Sequence, residues 1–126
     1  MREIKFYKLK TGKSPVEEFF DSLTNKQFEK IAFVLDLIEQ IDIVPRKFFN
    51  DIVPRKFFKK LRGTDDIWEV RAQHGNSIFR ILGFFDGKNI LVLNHAFTKK
   101  SQKTPQKEID VAEKRKRNYL QQRDKK

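Results

Sequence analysis

The sequence contains no cysteine and only two histidines among its 126 residues. Without thiols it can form neither a disulfide framework nor a thiolate metal site, and two histidines argue against a structural zinc site. No apolar run approaches the roughly 20 residues that a membrane-spanning helix needs. The first residues, MREIKF, lack the apolar core of a secretion signal. We therefore expect a cytoplasmic protein.

Acidic residues are few compared with basic ones. The chain has 17 Asp and Glu against 28 Lys and Arg, which gives a formal net charge of +11. This balance suggests an anionic partner such as nucleic acid, a phosphorylated ligand or an acidic protein, although solvated surface lysines alone would also produce it. A chain of this length is expected to form a single domain over residues 1–126.

A β-hairpin is predicted to begin at residue 68. Apolar and charged residues alternate over residues 68–72, which is typical of a strand with one buried face. Residues 75–76, Gly-Asn, fit a two-residue hairpin loop, and this register places Arg71 opposite Arg80. Like charges directly opposite each other destabilise a sheet by a few tenths to about 1 kcal/mol. An anion between the two side chains would explain the pairing.

A third strand is predicted over residues 89–97, after an Asp-Gly turn at residues 86–87. Its register is expected to place Ile90 and Val92 on the apolar face of the hairpin. Leu91 and Leu93 are also apolar, as in a middle strand that is covered on both faces, so the alternative register stays open.

Basic residues gather at the end of this third strand. His95 is expected on the same face as Arg71 and Arg80. The loop that follows places three lysines at the mouth of the sheet: Lys99, Lys100 and Lys103.

The N-terminal part predicts a short strand over residues 3–10, followed by two helices. Ser14 and Glu17 form a capping box at the start of a short helix, and Thr24 and Gln27 form a second box that opens a longer helix to about residue 40. Apolar residues at helical spacing predict that both helices pack on the sheet.

The C-terminal part predicts a helix with Thr104 as N-cap and Pro105 in its first position. Its surface is rich in Lys and Arg, which fits either a solvated helix or contact with phosphates. A flexible basic tail is expected over about residues 121–126.

An octapeptide, DIVPRKFF, occurs twice, at residues 42–49 and 51–58. Because two short copies do not make a repeat architecture, we interpret them as a local duplication that lengthens one loop, residues 42–58. Only the second copy leads directly into the sheet, so the first is expected to be the spare one. Alternatively, Arg46 and Lys47 of the first copy add a basic contact to nucleic acid.

Five segments, in this order and spacing, resemble the phage-derived Gp49-like and HigB toxins of the RelE/ParE superfamily. They are KKLRG at 59–63, IWEVR at 67–71, FRILGFF at 79–85, HAFTKK at 95–100 and KTP at 103–105.

The resemblance implies a compact α+β, RelE-like fold, in which an antiparallel sheet has N-terminal helices packed on one face and a C-terminal helix. It implies the toxin of a type II toxin–antitoxin pair, acting as a ribosome-dependent mRNA endonuclease (an mRNA interferase) without metal or other cofactor. Its partners would be mRNA on the ribosome and a helix-turn-helix, HigA/Xre-like antitoxin. In this chemistry the ribose 2′-OH attacks the adjacent phosphate, which requires a cationic clamp, a base and an acid.

The resemblance also implies roles for basic residues of the sheet. Arg80 matches the strand arginine that stabilises the phosphate, and Arg71 matches a basic residue on the preceding strand. Lys99 or Lys100 stands where the superfamily has a basic residue after its last strand. Further basic residues are expected to bind RNA phosphates: Lys59, Lys60, Arg62 and Lys103.

The sequence departs from RelE at two positions. Glu69 stands where RelE has a second lysine, and no tyrosine near Pro105 matches the catalytic tyrosine. Because arginine cannot act as a base, proton transfer would fall to His95, Glu69 or a lysine, with His95 favoured. Alternatively, Glu69 is the salt-bridge partner that separates the two arginines.

Two other functions stay open. A ParE-like protein would inhibit a topoisomerase without catalysing a reaction. A catalytically inactive phage-derived module would only bind RNA or protein.

Overall fold

The computed structural model describes residues 2–40, 56–99 and 103–124. In chain order the elements are β1 (Glu3–Phe6), α1 (Pro15–Asp21), α2 (Asn25–Gln40), β2 (Phe58–Lys60), β3 (Trp68–His74), β4 (Ser77–Asp86), β5 (Ile90–Thr98) and α3 (Gln106–Asp124).

The strands form one five-stranded sheet in the order β1-β5-β4-β3-β2. The expected α+β fold is confirmed, but the sheet is mixed and not wholly antiparallel, because β1 pairs with β5 in parallel. Tight turns impose antiparallel pairing only on strands that are neighbours in sequence. β1 and β5 are separated by most of the chain, so no hairpin turn sets their relative direction.

The predicted register of the β3–β4 hairpin is confirmed. Arg71 lies opposite Arg80, and Val70 lies opposite Ile81. The loop begins at Gly75, whose φ of 60° is the left-handed conformation that a two-residue loop of this kind requires.

The expected placement of Ile90 and Val92 on the face of Val70 is wrong. Leu91 and Leu93 occupy that face and belong to the core beneath α1 and α2. Val92 lies on the opposite face, in a cluster covered by α3.

A β-bulge in β5 causes this change of face. Leu82 pairs with His95 while the next residue, Gly83, pairs with Leu93, so Asn94 is an extra residue in β5. One extra residue reverses the alternation of side chains beyond it. A prediction from alternation alone, which takes the strand to be regular, therefore assigns half of β5 to the wrong face.

Helices cover both faces of the sheet. Beneath α1 and α2 the core contains Val16, Ile31, Val34, Leu35, Ile38, Phe58, Val70, Ala72, Phe79, Ile81, Leu91 and Leu93. Beneath α3 the core contains Leu61, Ile67, Leu82, Phe97, Ile109 and Ala112, and a smaller cluster contains Tyr7, Phe84 and Val92.

The predicted helix starts in the N-terminal part are confirmed. The Ser14 hydroxyl accepts a hydrogen bond from the Glu17 backbone N–H at 3.2 Å. Thr24 and Gln27 exchange two such bonds, at 2.9 and 3.2 Å. β1 ends at Phe6 and not at residue 10, because the chain then turns back, with the Leu9 N–H donating to the Lys13 carbonyl at 2.8 Å.

The C-terminal helix differs slightly from its predicted bounds. It begins at Gln106, one residue after Pro105, and it continues to Asp124, so residues 121–124 of the predicted tail are helical. Of the duplicated octapeptide, residues 42–55 lie outside the described residues, and Phe58 at the end of the second copy begins β2.

We predict that Gly83→Ala destabilises the protein by about 1–3 kcal/mol, the usual cost of overpacking. A Cβ atom at this position would lie 2.2 Å from the Val92 carbonyl oxygen and 3.1 Å from the Leu93 Cα, both backbone atoms of the bulged strand. Urea unfolding measures the change. Gly87→Asn is the control, because nothing lies within 4 Å of a Cβ there and Asn tolerates a positive φ. Equal stability of the two variants would contradict the close approach of β4 and β5.

Candidate functional site

The candidate site lies on the sheet face that α3 covers in part. Directly opposed residues of antiparallel strands share a face. Two rows of such residues lie here: Arg71, Arg80 and Phe97 in one, and Glu69, Leu82 and His95 in the other. The prediction that His95 shares a face with both arginines is confirmed.

Helix α3 crosses this face from the arginine row toward the far end of β4. Its path is marked by contacts from Thr104 to Arg80, from Glu108 to His95 and from Tyr119 to Phe84. Helix α3 therefore leaves uncovered the end of this face that adjoins the loop between β3 and β4.

Four side chains form a connected group under the start of α3, which we call the Glu69 cluster: Glu69, Arg71, Arg80 and Thr104. Arg71 Nε donates to Glu69 Oε1 at 2.9 Å, and the Thr104 hydroxyl donates to Glu69 Oε2. Arg80 Nη1 donates to Thr104 Oγ1 at 3.3 Å and lies 3.7 Å from Glu69 Oε2. The anion between the two opposed arginines is therefore the carboxylate of Glu69.

Burial differs sharply within the Glu69 cluster. The side chains of Glu69 and Arg80 are fully buried, whereas that of Arg71 is 18% exposed. Burial, followed by repulsion from Arg71, lowers the pKa of Arg80, and attraction to Glu69 opposes this. The guanidinium group stays charged, since arginine does not deprotonate in proteins. The structure therefore encloses Arg80 and presents Arg71 to the surface.

Arg71 lines a groove beside β3, which we call the Arg71 groove. Its volume is about 290 Å³, and its described lining consists of Lys56, Phe57, Arg71, Ala72, Gln73 and Ile78. Lys56 Nζ lies 4.9 Å from the centre of the half-buried Phe57 ring. The groove thus combines two cations, an aromatic ring and an amide.

The predicted RNA-binding residues fall into two groups. Lys59 lies opposite Glu69, so it shares the sheet face of Arg71. Lys60 points to the other face, opposite Trp68, and forms an ion pair of 2.6 Å with Asp66. Arg62 is exposed in the turn after β2.

Lys99, the first residue after β5, adjoins the groove. The Lys99 backbone N–H donates to the carbonyl of Ile78, a groove residue, at 3.1 Å. Lys99 and Lys103 are both exposed, and Lys100 lies outside the described residues.

His95 lies under α3 and outside the groove. Its Nε2 is 3.0 Å from Glu108 Oε1, and its Nδ1 is 3.4 Å from Arg115 Nη1. Burial lowers the pKa of His95, the hydrogen bond with Glu108 opposes this, and Arg115 adds to the lowering. His95 lies on β5 and Arg71 on β3, and these strands are two strand spacings apart, about 10 Å. The structure does not bring His95 into the Arg71 groove.

Three residues of the site are not identified by the sequence patterns. The sequence indicates only a helix cap at Thr104, whereas in the structure its hydroxyl is shared between Arg80 and Glu69. Lys56 and Phe57 belong to the second octapeptide copy, whose basic and aromatic residues are the signal that could identify them.

Among the described residues, no group of three or more His, Cys, Asp or Glu side chains could hold a metal ion. A search of the same residues finds no helix with the length and apolar character needed to cross a membrane.

We predict that Glu69→Ala destabilises the protein by about 3–5 kcal/mol, because it leaves the buried charge of Arg80 without its carboxylate. Urea unfolding measures the change. Lys60→Ala is the matched control, since it breaks an ion pair whose side chains are 54% and 67% exposed, and exposed pairs of this kind contribute little to stability. Similar losses in both variants would show that the Glu69 cluster does not depend on its central charge.

We predict that His95 makes the protein less stable as the pH falls. Its pKa is lower in the folded protein than in the unfolded chain, so the unfolded chain binds more protons once the pH drops below about 6.5. The stability that neutral His95 contributes is present above that pH and is lost as the pH falls through the folded pKa.

Urea unfolding of the wild type and of His95→Gln is compared at pH 7.5 and pH 5.5. The comparison separates the contribution of His95 from that of the carboxylates, which both proteins share. The wild type should lose more stability than the variant between the two values. A smaller loss in the wild type would mean that the pairing with Glu108 outweighs burial.

The model of the phage-derived Gp49-like protein family matches residues 18–117. The matched range contains the entire Glu69 cluster, the Arg71 groove and most of α3. No curated protein matches the chain. Members of the matched family are commonly toxins of toxin–antitoxin pairs. Because the match covers well over half of the sequence and most of the described fold, the chain belongs to the phage-derived Gp49-like family.

Proposed function

We propose that this chain is the toxin of a type II toxin–antitoxin pair and that it binds and cleaves mRNA on the ribosome. One observation carries the proposal: the Glu69 cluster fixes Arg71 at the edge of a groove that also contains Lys56, Phe57 and Gln73. Family membership supports the toxin assignment, and the chemistry of the groove supports RNA as its target.

The Arg71 groove offers the contacts that single-stranded RNA uses. An aromatic ring such as Phe57 can stack on an unpaired base, and the amide of Gln73 can hydrogen-bond to a base edge. Arg71 and Lys56 supply cations for the phosphates. Lys59 shares the same face, so the RNA backbone can continue along the sheet.

In the proposed reaction the ribose 2′-oxygen loses its proton and attacks the adjacent phosphorus. The bond to the 5′-oxygen breaks, and this oxygen takes up a proton, leaving a cyclic phosphate and a free 5′-OH. Negative charge grows on the phosphate oxygens in the transition state, and a fixed guanidinium group is suited to stabilise it. We assign this role to Arg71.

Arg80 and Glu69 act in this proposal as positioning residues. Both are fully buried, and Glu69 accepts hydrogen bonds from Arg71 and Thr104. Direct contact of Arg80 with a phosphate would require Thr104 and the start of α3 to move away. Instead, the buried pair holds the Arg71 guanidinium in one orientation at the surface.

The proton transfers are assigned to lysines near the groove. His95 and Glu69 are engaged in contacts under α3, and arginine cannot act as a base. Lys59 shares the face of Arg71, and Lys99 adjoins the groove residue Ile78. Lys100, which follows Lys99 directly, completes the candidates.

We predict that Arg71→Ala slows mRNA cleavage by about 10²–10³-fold, the usual effect of removing one transition-state hydrogen-bond donor. Wild type and variant are induced in a bacterial host while protein synthesis is followed and the ends of translated mRNAs are mapped. Arg117→Ala is the control, because it removes an exposed arginine of α3 outside the groove. Arg71→Lys should recover only part of the activity, since lysine lacks the planar guanidinium. Circular dichroism checks that each variant folds.

Other results would contradict the proposal. Growth arrest with intact mRNA and a DNA-damage response would point to inhibition of a topoisomerase. A host unaffected by folded wild-type protein would identify an inactive relative. Equal activity of Arg71→Ala and wild type would exclude the Arg71 groove as the site of cleavage.

A further inference from the structure

The two helices at the N-terminal end carry a charge opposite to that of the chain as a whole. Residues 15–40 contain two lysines and six acidic residues, a net charge of −4 in a protein of net charge +11. The acidic residues are Glu17, Glu18, Asp21, Glu29, Asp36 and Glu39. The helices therefore form an acidic surface on a basic protein.

Four of these carboxylates, Glu17, Asp21, Asp36 and Glu39, line a groove of about 530 Å³ between α1, α2 and β1, which we call the helix groove. Its apolar lining includes Phe6, Phe20, Leu23 and Phe28. No lysine or arginine is among the described residues that line it. Phe28 is 39% exposed, so the groove combines a solvent-accessible aromatic side chain with four carboxylates.

We propose that the helix groove binds a basic amphipathic helix of a partner protein. The lining runs along α2 from Asn25 to Glu39, which is about 21 Å at the rise of an α-helix. A partner helix of roughly 14 residues has this length. Its apolar residues at positions i, i+3 or i+4 and i+7 would contact the aromatic and leucine side chains of the groove, as in other helix-in-groove complexes. Its flanking Lys and Arg residues would meet the four carboxylates of the groove.

Charge complementarity selects this partner over two others. Nucleic acid is excluded because its phosphates would face four carboxylates. A second copy of this chain has a basic helix in α3, but Ile109 and Ala112 of that helix are already buried against their own sheet. Among the described residues, α3 thus lacks a spare apolar face of the kind that the groove accepts.

The helix groove and the Arg71 groove share none of their described lining residues. The first lies between α1, α2 and β1, whereas the second lies beside β3, where Arg71 points away from the core that contains Val70. A helix bound to α1 and α2 would leave the Arg71 groove uncovered. The inference therefore stands independently of RNA cleavage, and the two can be tested separately.

The test uses two fluorescent synthetic peptides of 14 residues with leucines at helical spacing. One carries lysines beside the leucines, and the other carries glutamates at the same positions. Fluorescence anisotropy with the full chain should show the lysine peptide binding at least roughly tenfold more tightly. Because the chain has a net charge of +11, non-specific attraction favours the glutamate peptide, so this preference can arise only at a locally acidic surface.

Two variants on α2 locate the binding site. Phe28→Glu should weaken binding of the lysine peptide by roughly tenfold or more, as expected for a central aromatic contact. Phe33→Glu introduces the same charge at a phenylalanine that is 58% exposed and does not line the groove, and it should change the affinity less than about twofold. Both variants should cleave mRNA as the wild type does, which separates this result from the test of Arg71.

Three results would overturn the inference. In the first, the glutamate peptide binds as tightly as the lysine peptide, or neither peptide binds. In the second, Phe28→Glu and Phe33→Glu weaken binding equally. In the third, sedimentation shows that the wild type self-associates at micromolar concentration and that Phe28→Glu is monomeric, which would identify a second copy of the chain as the occupant.

Discussion

The buried carboxylate of Glu69 is the group on which the arrangement of the site depends. The hairpin register places Arg71 and Arg80 side by side, and a charged guanidinium can be enclosed only with a compensating anion. Glu69 lies two residues before Arg71 on the same strand face, so it reaches both arginines. Through Thr104 it also fixes the start of α3. One ion-paired group thus joins two strands of the sheet to the C-terminal helix, and these contacts help to offset the desolvation cost of burying it.

The molecule is electrostatically two-sided. Its α1–α2 surface is acidic, whereas the opposite face carries Arg71 and Lys59, and Arg71 lines the Arg71 groove together with Lys56. A polyanion and a basic protein segment would therefore approach different surfaces of the molecule. Such a separation allows a partner protein to hold the chain without competing for the groove. Inhibition by such a partner would require additional contacts beyond the helix groove.

Local sequence signals predicted the parts of the fold that short-range geometry determines. The capping boxes at Ser14 and Thr24 and the register of the β3–β4 hairpin are of this kind. The bulge at Asn94 was not predictable, because β5 is apolar at successive positions and either register buries leucine or valine. The role of Thr104 was not predictable either, because it depends on a contact with Glu69, 35 residues away in the sequence. The same long-range packing of α3 covers His95.

The position of α3 decides which cation of the sheet can act on a ligand. The Glu69 cluster contains two positive charges and one negative charge, so it carries a net charge of about +1. Arg80 and Glu69 are fully buried and the side chain of Arg71 is 18% exposed, so Arg71 is the cation of the cluster that a ligand can reach. If α3 started a few residues later, Arg80 would be solvated and the orientation of Arg71 would lose its support. Enclosing one arginine is therefore the means by which the fold holds the other in place.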